Sequence, residues 1–319
     1  ALAAPVLLAD GDLFVPASIG VAVLGKEVDV ATLVGNADAA MYRAKQLGGN
    51  RCEIFQQASR PSTSSRLSIH REMHRALERD EFCVEYQPLV SLNTGKVTGA
   101  EALVRWRHPE RGLLAPRDFL PIAESSGLIV PIGERVLNLA CRQARRWQSE
   151  VNTYDPLRVH INLSPLQFLQ PDLADIIAQA LETTGAAPEL VALEITESAI
   201  MEDTDATLNA LLELKHLGVG LVIDDFGTGY SSLTHLKTFP VDELKVDQSF
   251  VAGLCSSDKD GAIVNAVIAL AHSLGLSVVA EGVESAEQHQ RLQDLHCDVG
   301  QGYYFGRPGA ARDVVPLAG

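Results

Sequence analysis

From Leu67 onward the chain alternates short, β-branched apolar runs with longer amphipathic stretches, and nearly every run closes on a polar residue. The strand candidates are residues 83–89, 97–104, 158–162, 190–195, 220–224, 243–246, 277–280 and 299–305. Helical periodicity fills most of the gaps between them, as at 134–148, 173–183, 205–217 and 262–274. Apolar runs this short and this branched suit strands covered on both faces, as in a parallel sheet. The first two are joined only by residues 92–96 (LNTGK), too few for a crossover helix, so they should run antiparallel. Eight strands in mostly βα order predict an α/β fold, a (β/α)8 TIM-like barrel with an antiparallel first strand.

In such a barrel the carboxyl ends of the strands converge on one face. The polar residues in or just after the strand candidates are Glu101, Asn162, Glu194, Asp224 with Asp225, Lys245 with Asp247, Glu281 and Gln301. Four or more carboxylates in one cleft do not stay ionised without cations. Only oxygen-rich ligands are offered, which suits Mg²⁺ or Mn²⁺ better than Zn²⁺. The densest stretch is 220–233, GLVIDDFGTGYSSL, where an apolar run meets two adjacent acids and then turns through Gly227 and Gly229. Taken alone, it is equally open to one Asp capping the next helix and the other forming a surface ion pair. Taken with the other strand ends, it reads as part of a site for divalent cations.

The 319 residues suit about two domains, or one barrel and an appendage. Residues 1–57 predict a strand at 17–24, a helix at 31–47 stopped by Gly48 and Gly49, and a short strand at 51–55. This is small for an independent domain, and its apolar positions need a partner. A polar Pro/Ser stretch reads as a linker, 58–66, leaving the barrel at 67–319. The opening ALAAPVLLADGD lacks a basic region and reads as a fragment boundary rather than a signal peptide. No run reaches the roughly 18 apolar residues of a membrane span. A net charge of −15 disfavours DNA and anionic lipid as partners. The five cysteines are scattered, without a CxxC, and read as reduced thiols of a cytoplasmic protein. His70 and His74 sit on a charged helical face and read as solvated rather than as a metal site.

Residues from about 67 to 309 resemble the EAL domain, the bacterial cyclic di-GMP phosphodiesterase family. The resemblance is carried by YQPLV at 86–90, EALVRW at 101–106, INLSP at 161–165 and LEITES at 193–198. DDFGTGYSSL at 224–233, LKVDQSF at 244–250, EGVE at 281–284 and GQGYYFGRP at 300–308 complete it, in order. Residues 1–57 resemble the C-terminal end of a GGDEF domain through SIGVAV at 18–23 and ADAAMYRAKQLGGNR at 37–51; the GGDEF sequence itself is absent.

The resemblance implies hydrolysis of cyclic di-GMP to linear pGpG with two Mg²⁺ or Mn²⁺ ions. Glu101, Asn162, Glu194 and Asp224 match the ligands of the first ion; Asp224, Asp225 and Glu281 match those of the second, with Asp224 bridging. Lys245 matches the lysine beside the attacking water. Arg105 matches a phosphate clamp. Gln87, Asp247, Glu284 and Gln301 match positions that contact substrate or support the site. Glu197 matches a brace for the loop containing Gly227, Gly229 and Ser231; its plainer alternative is a first-turn acid at a helix start. For Gln87 the alternative is a hydrogen bond within the barrel mouth. The rival function is a receptor domain that binds cyclic di-GMP without cleaving it. Homodimerisation is left open, and the parent chain is expected to carry sensory and GGDEF regions upstream and is free to be membrane-associated.

Overall fold

The computed structural model describes residues 63–150, 157–201, 204–227 and 233–314, and within the first 62 residues only 6–8, 11–13, 18–23, 33–34, 37, 40–41 and 52–54. It divides into two units, Ala1–Arg66 and Leu67–Gly319. In the first, Val6–Leu8 pairs antiparallel with Gly11–Leu13, a pairing the sequence reading did not include. Ile19–Val21 and Cys52–Ile54, inside the two predicted strands, pair in parallel. Of the helix predicted at 31–47, residues 33, 34, 37, 40 and 41 are helical, and the rest lies outside the described residues. Gly20 lets the helix approach, because a Cβ there would sit 1.9 Å from the carbonyl oxygen of Ala37.

The second unit is built on strands β1 (Phe82–Ser91), β2 (Val97–His108), β3 (Gly112–Leu114), β4 (Arg158–Leu163), β5 (Val191–Thr196), β6 (Gly220–Phe226), β7 (Glu243–Val246), β8 (Ser277–Ala280) and β9 (Val299–Gly300). The order β1-β9-β8-β7-β6-β5-β4-β2 closes on itself through β1–β2 pairing, making a barrel, with β3 appended to β2. Neighbours from β2 round to β9 are parallel, whereas β1 is antiparallel to both β2 and β9. The reversed first strand is therefore as the short 92–96 connection requires.

The helices cover the barrel. In α3 (Ile129–Glu150), which follows α1 (Thr63–Glu78) and α2 (Pro116–Ser126), Leu137, Ala140, Cys141, Ala144 and Trp147 form one buried face. Trp147 meets Tyr86 of β1 edge-on at 5.2 Å. No described helix is long and apolar enough to cross a membrane.

Three of the boundaries that differ from the sequence reading have a visible physical cause. Helix α1 starts at Thr63, so the last residues of the predicted linker are helical; Thr63, Ser64 and Ser65 are residues that favour a helix start. Strand β2 runs on to His108 and turns into β3, because His108 Nδ1 accepts the backbone N–H groups of Glu110 (3.1 Å) and Arg111 (3.2 Å). The strand predicted at 299–305 ends at Gly300. Beyond it the chain packs against Val283, where a Cβ on Gly302 would lie 2.1 Å from a carbonyl oxygen, and Phe305 and Gly306 both donate back to the Gly302 carbonyl.

Candidate active site

Residues two apart on a strand share a face, so β2 sends Glu101 and β7 sends Lys245 into the barrel with their alternate neighbours. Asn162 of β4 and Glu194 of β5 are paired in register. Strand β6 would normally send only one of Asp224 and Asp225 inward. Its pairing with β7 slips by one residue between Ile223 and Phe226, and Asp225 takes a left-handed conformation, φ 55°. Asp is among the few residues that tolerate this. The bulge brings both carboxylates to one place: an oxygen each from Asp224, Asp225 and Glu281 lie within 4.8 Å of one another, an acidic cluster that can hold a metal ion.

Lys245 stands at the centre, fully buried. Its Nζ lies 2.6 Å from Glu281 Oε1, 3.0 Å from Glu194 Oε2, and 3.5 Å from both Glu101 Oε2 and Asp224 Oδ1. Burial works against its charge, but the acids, Glu101 foremost, outweigh it and hold the ammonium pKa well above the usual value. The acids share one cation and fare unequally. Burial pushes Glu194 well above the ordinary carboxylate range, and Glu281 up to about 8. Asp225 rises to about 6 through burial and then the charges of Asp224 and Asp247. For Glu101 burial is overcome by Lys245 and by two amide donors, and its pKa falls. Those donors are Asn162 Nδ2 to Oε1 and Gln301 Nε2 to Oε2, each at 2.5 Å. Five acids around one lysine leave a surplus of negative charge.

The remaining predicted residues divide. Gln87 donates to the Gly306 carbonyl and accepts from Gln301, both at 3.1 Å, so both ends of its amide work within the barrel mouth. Gln301 Oε1 is buried without a hydrogen-bond partner. Arg105 is held by Glu85, Nε to Oε2 at 2.7 Å, and donates to the Val104 carbonyl. Asp247 caps the helix Gln248–Gly253, accepting the Ser249 N–H at 3.0 Å. Glu284 is exposed; its backbone N–H donates to Gln288. Glu197 is buried, and its Oε2 accepts the Gly227 N–H at 2.8 Å. Gly227 has φ 98°, and a Cβ there would meet Phe250 at 2.9 Å. Gly229 and Ser231 lie outside the described residues.

Sequence reading missed Glu85, His160 and Glu243. Each stands two residues before a residue it singled out (Gln87, Asn162, Lys245), and the strand period of two was the available signal. His160 Nδ1 lies 3.0 Å from Glu194 Oε1, and Arg158 Nη1 donates to Glu243 Oε1 at 2.9 Å.

Comparison with known proteins gives a consistent picture. Residues 70–308 match the EAL domain family. The chain is 42% identical over 312 residues to the bifunctional diguanylate cyclase/cyclic di-GMP phosphodiesterase MucR of Pseudomonas aeruginosa, covering 98% of this chain and 45% of that protein. It is 40% identical over 305 residues to the cyclic di-GMP phosphodiesterase NbdA of the same organism, covering 95% and 39%. The solved phosphodiesterase of PaMucR in complex with c-di-GMP superposes with a TM-score of 0.74 at 45% identity, covering 77% of this chain and 99% of that one. The chain spans less than half the length of these two curated relatives.

Proposed function

The chain belongs to the EAL domain family, and from that premise we propose that it hydrolyses one phosphodiester of cyclic di-GMP to give linear pGpG, with divalent cations. The observation that carries the reading is the acid surplus at the strand ends: Glu101, Glu194, Asp224, Asp225 and Glu281 around the single buried Lys245. The donor set fits Mg²⁺ or Mn²⁺, being oxygen-only, and Gln301 Oε1 is a buried acceptor without a partner in the same mouth. Glu101, Asn162, Glu194 and Asp224 would hold one ion, and Asp224, Asp225 and Glu281 the other. When bound, the two ions supply the positive charge that makes a water more acidic and offsets charge on the phosphate.

The chain's own residues do the rest. Lys245 Nζ orients the attacking water and carries positive charge at the reacting phosphate. The Arg105 guanidinium, aimed by Glu85, clamps a phosphate oxygen. Gln301, held by Gln87, keeps Glu101 in place. Glu197 fixes the Gly227 N–H, and through it the loop beyond Asp224 and Asp225. A receptor without turnover would be expected to lack one of these groups, and none of the matched positions departs.

The reading extends to residues 1–57 as the remnant of a GGDEF-like domain, supported by the parallel pair Ile19–Val21 and Cys52–Ile54 flanking helical residues. It extends also to a reducing, cytoplasmic setting, supported by the free thiols of Cys83, Cys141, Cys255 and Cys297. The test is to incubate the purified chain with cyclic di-GMP and Mg²⁺ or Mn²⁺ and separate the products. Linear pGpG that vanishes with chelator is expected; substrate bound but intact would select the receptor reading.

A further inference from the structure

His160 lies two residues before Asn162 on β4, so its ring enters the barrel interior one layer below. It is 3% exposed. Its Nδ1 is 3.0 Å from Glu194 Oε1, while Nε2 points toward Glu243, 3.9 Å from Oε2. The charged groups facing it are Glu194, Glu101 and Lys245 on the side of the candidate site, and Glu243 and Arg158 on the other. An ionised carboxylate only accepts hydrogen bonds, so as a metal ligand Glu194 takes the proton of the 3.0 Å contact from Nδ1.

The side chain of Glu194 is wholly buried, and its hydrogen-bond partners are this ring on Oε1 and Lys245 on Oε2. A buried carboxylate that loses one of its two donors is free to rotate, and a rotated carboxylate is a poorer ligand. We infer that His160 is a positioning residue for the reaction: its Nδ1–H pins Oε1 of Glu194, so that Oε2 faces Lys245 and the cation. The inference rests on Glu194 being a metal ligand, as proposed above. Groups that orient a metal ligand in this way typically cost 10–100-fold in affinity or activity when removed.

Three substitutions isolate the donor. In H160N the amide nitrogen hangs from Cγ, as Nδ1 does, and keeps the donor near its place. In H160Q the nitrogen moves one atom further out, and H160L fills space with no donor. Each variant and the wild type would be measured for Mn²⁺ affinity by calorimetry without substrate, for kcat and KM on cyclic di-GMP, and for Tm. Expected are Mn²⁺ binding and kcat lowered about 10–100-fold in H160L and H160Q, KM changed less than about threefold, and H160N within about fivefold of wild type. Wild-type Mn²⁺ affinity in H160L, or H160N as impaired as H160Q, would overturn the inference; the second comparison stands even where H160L does not fold. A wild type that neither binds Mn²⁺ nor turns over would instead overturn the proposed function, and the inference with it.

Discussion

The barrel interior is polar at both mouths, but the two are balanced differently. At the mouth formed by the strand starts, Arg158 pairs with Glu243 at 2.9 Å, and Lys96 and Glu189 line the same cavity of about 640 Å³. Cations and acids there are equal in number. At the opposite mouth five acids surround Lys245, and burial with mutual repulsion raises Glu281 to about 8 and Asp225 to about 6. A balanced mouth is complete as it folds. A mouth with a surplus of acids can hold cations, and its raised pKa values reflect the burial and mutual repulsion of those acids.

Substitutions at the two mouths should therefore act on different observables. The largest effect is expected from Asp224→Asn, which removes charge from the ligand shared by both proposed ions. Turnover should fall by at least about 10⁴-fold, without rescue by added Mn²⁺. Lys245→Met follows, with kcat lowered about 10²–10³-fold and substrate affinity little changed, as for a group acting in the transition state. Because it also strands a cluster of buried acids, metal-free stability should drop by roughly 3–5 kcal/mol in chemical unfolding. Glu197→Gln should cost about 10-fold, an indirect effect comparable to other supporting partners of a metal site. Excess Mn²⁺ should partly restore it by mass action, since all direct ligands remain. Equal response of Asp224→Asn and Glu197→Gln to metal would erase the distinction between ligand and loop brace.

The surplus also predicts a pH dependence. Asp225 and Glu281 have folded pKa values above their ordinary ones, so they contribute stability that is full below about pH 4. It is lost as pH rises through about 6 and about 8. The Tm of metal-stripped protein should fall across that window, and Mn²⁺ should flatten the decline. The smallest effect belongs to the balanced mouth. Arg158 is 44% exposed at its side chain, so Arg158→Gln should change stability by less than about 1 kcal/mol and turnover by less than about twofold. A loss there as large as at Lys245 would break the comparison.

Much of this was legible in the sequence because strand ends repeat a rule: apolar run, then polar residue. The eight strands and their reversed first member follow from run length and from the five-residue connection at 92–96. The acids and Lys245 follow from their places at the strand ends. What escaped was set by contacts distant in sequence. The turn at Gly302 depends on the backbone of Val283, and no local signal separates it from a strand through Phe305. The inward swing of both Asp224 and Asp225 depends on a register slip against β7. His160 and Glu243 carry the same period as Asn162 and Lys245, but lie deeper than the strand ends where a site was expected. Glu85 escaped because its partner, Arg105, comes 20 residues later on the next strand.

The central claim is that the acid surplus is a binding site for two divalent cations sharing Asp224. Calorimetric titration of Mn²⁺ into metal-stripped protein tests it most directly, with the wild type beside Asp224→Asn and circular dichroism confirming that both are folded. The account predicts about two Mn²⁺ per wild-type chain and at most one, weakly held, in the variant. The same stoichiometry and affinity in both, or no binding by the wild type, would contradict it.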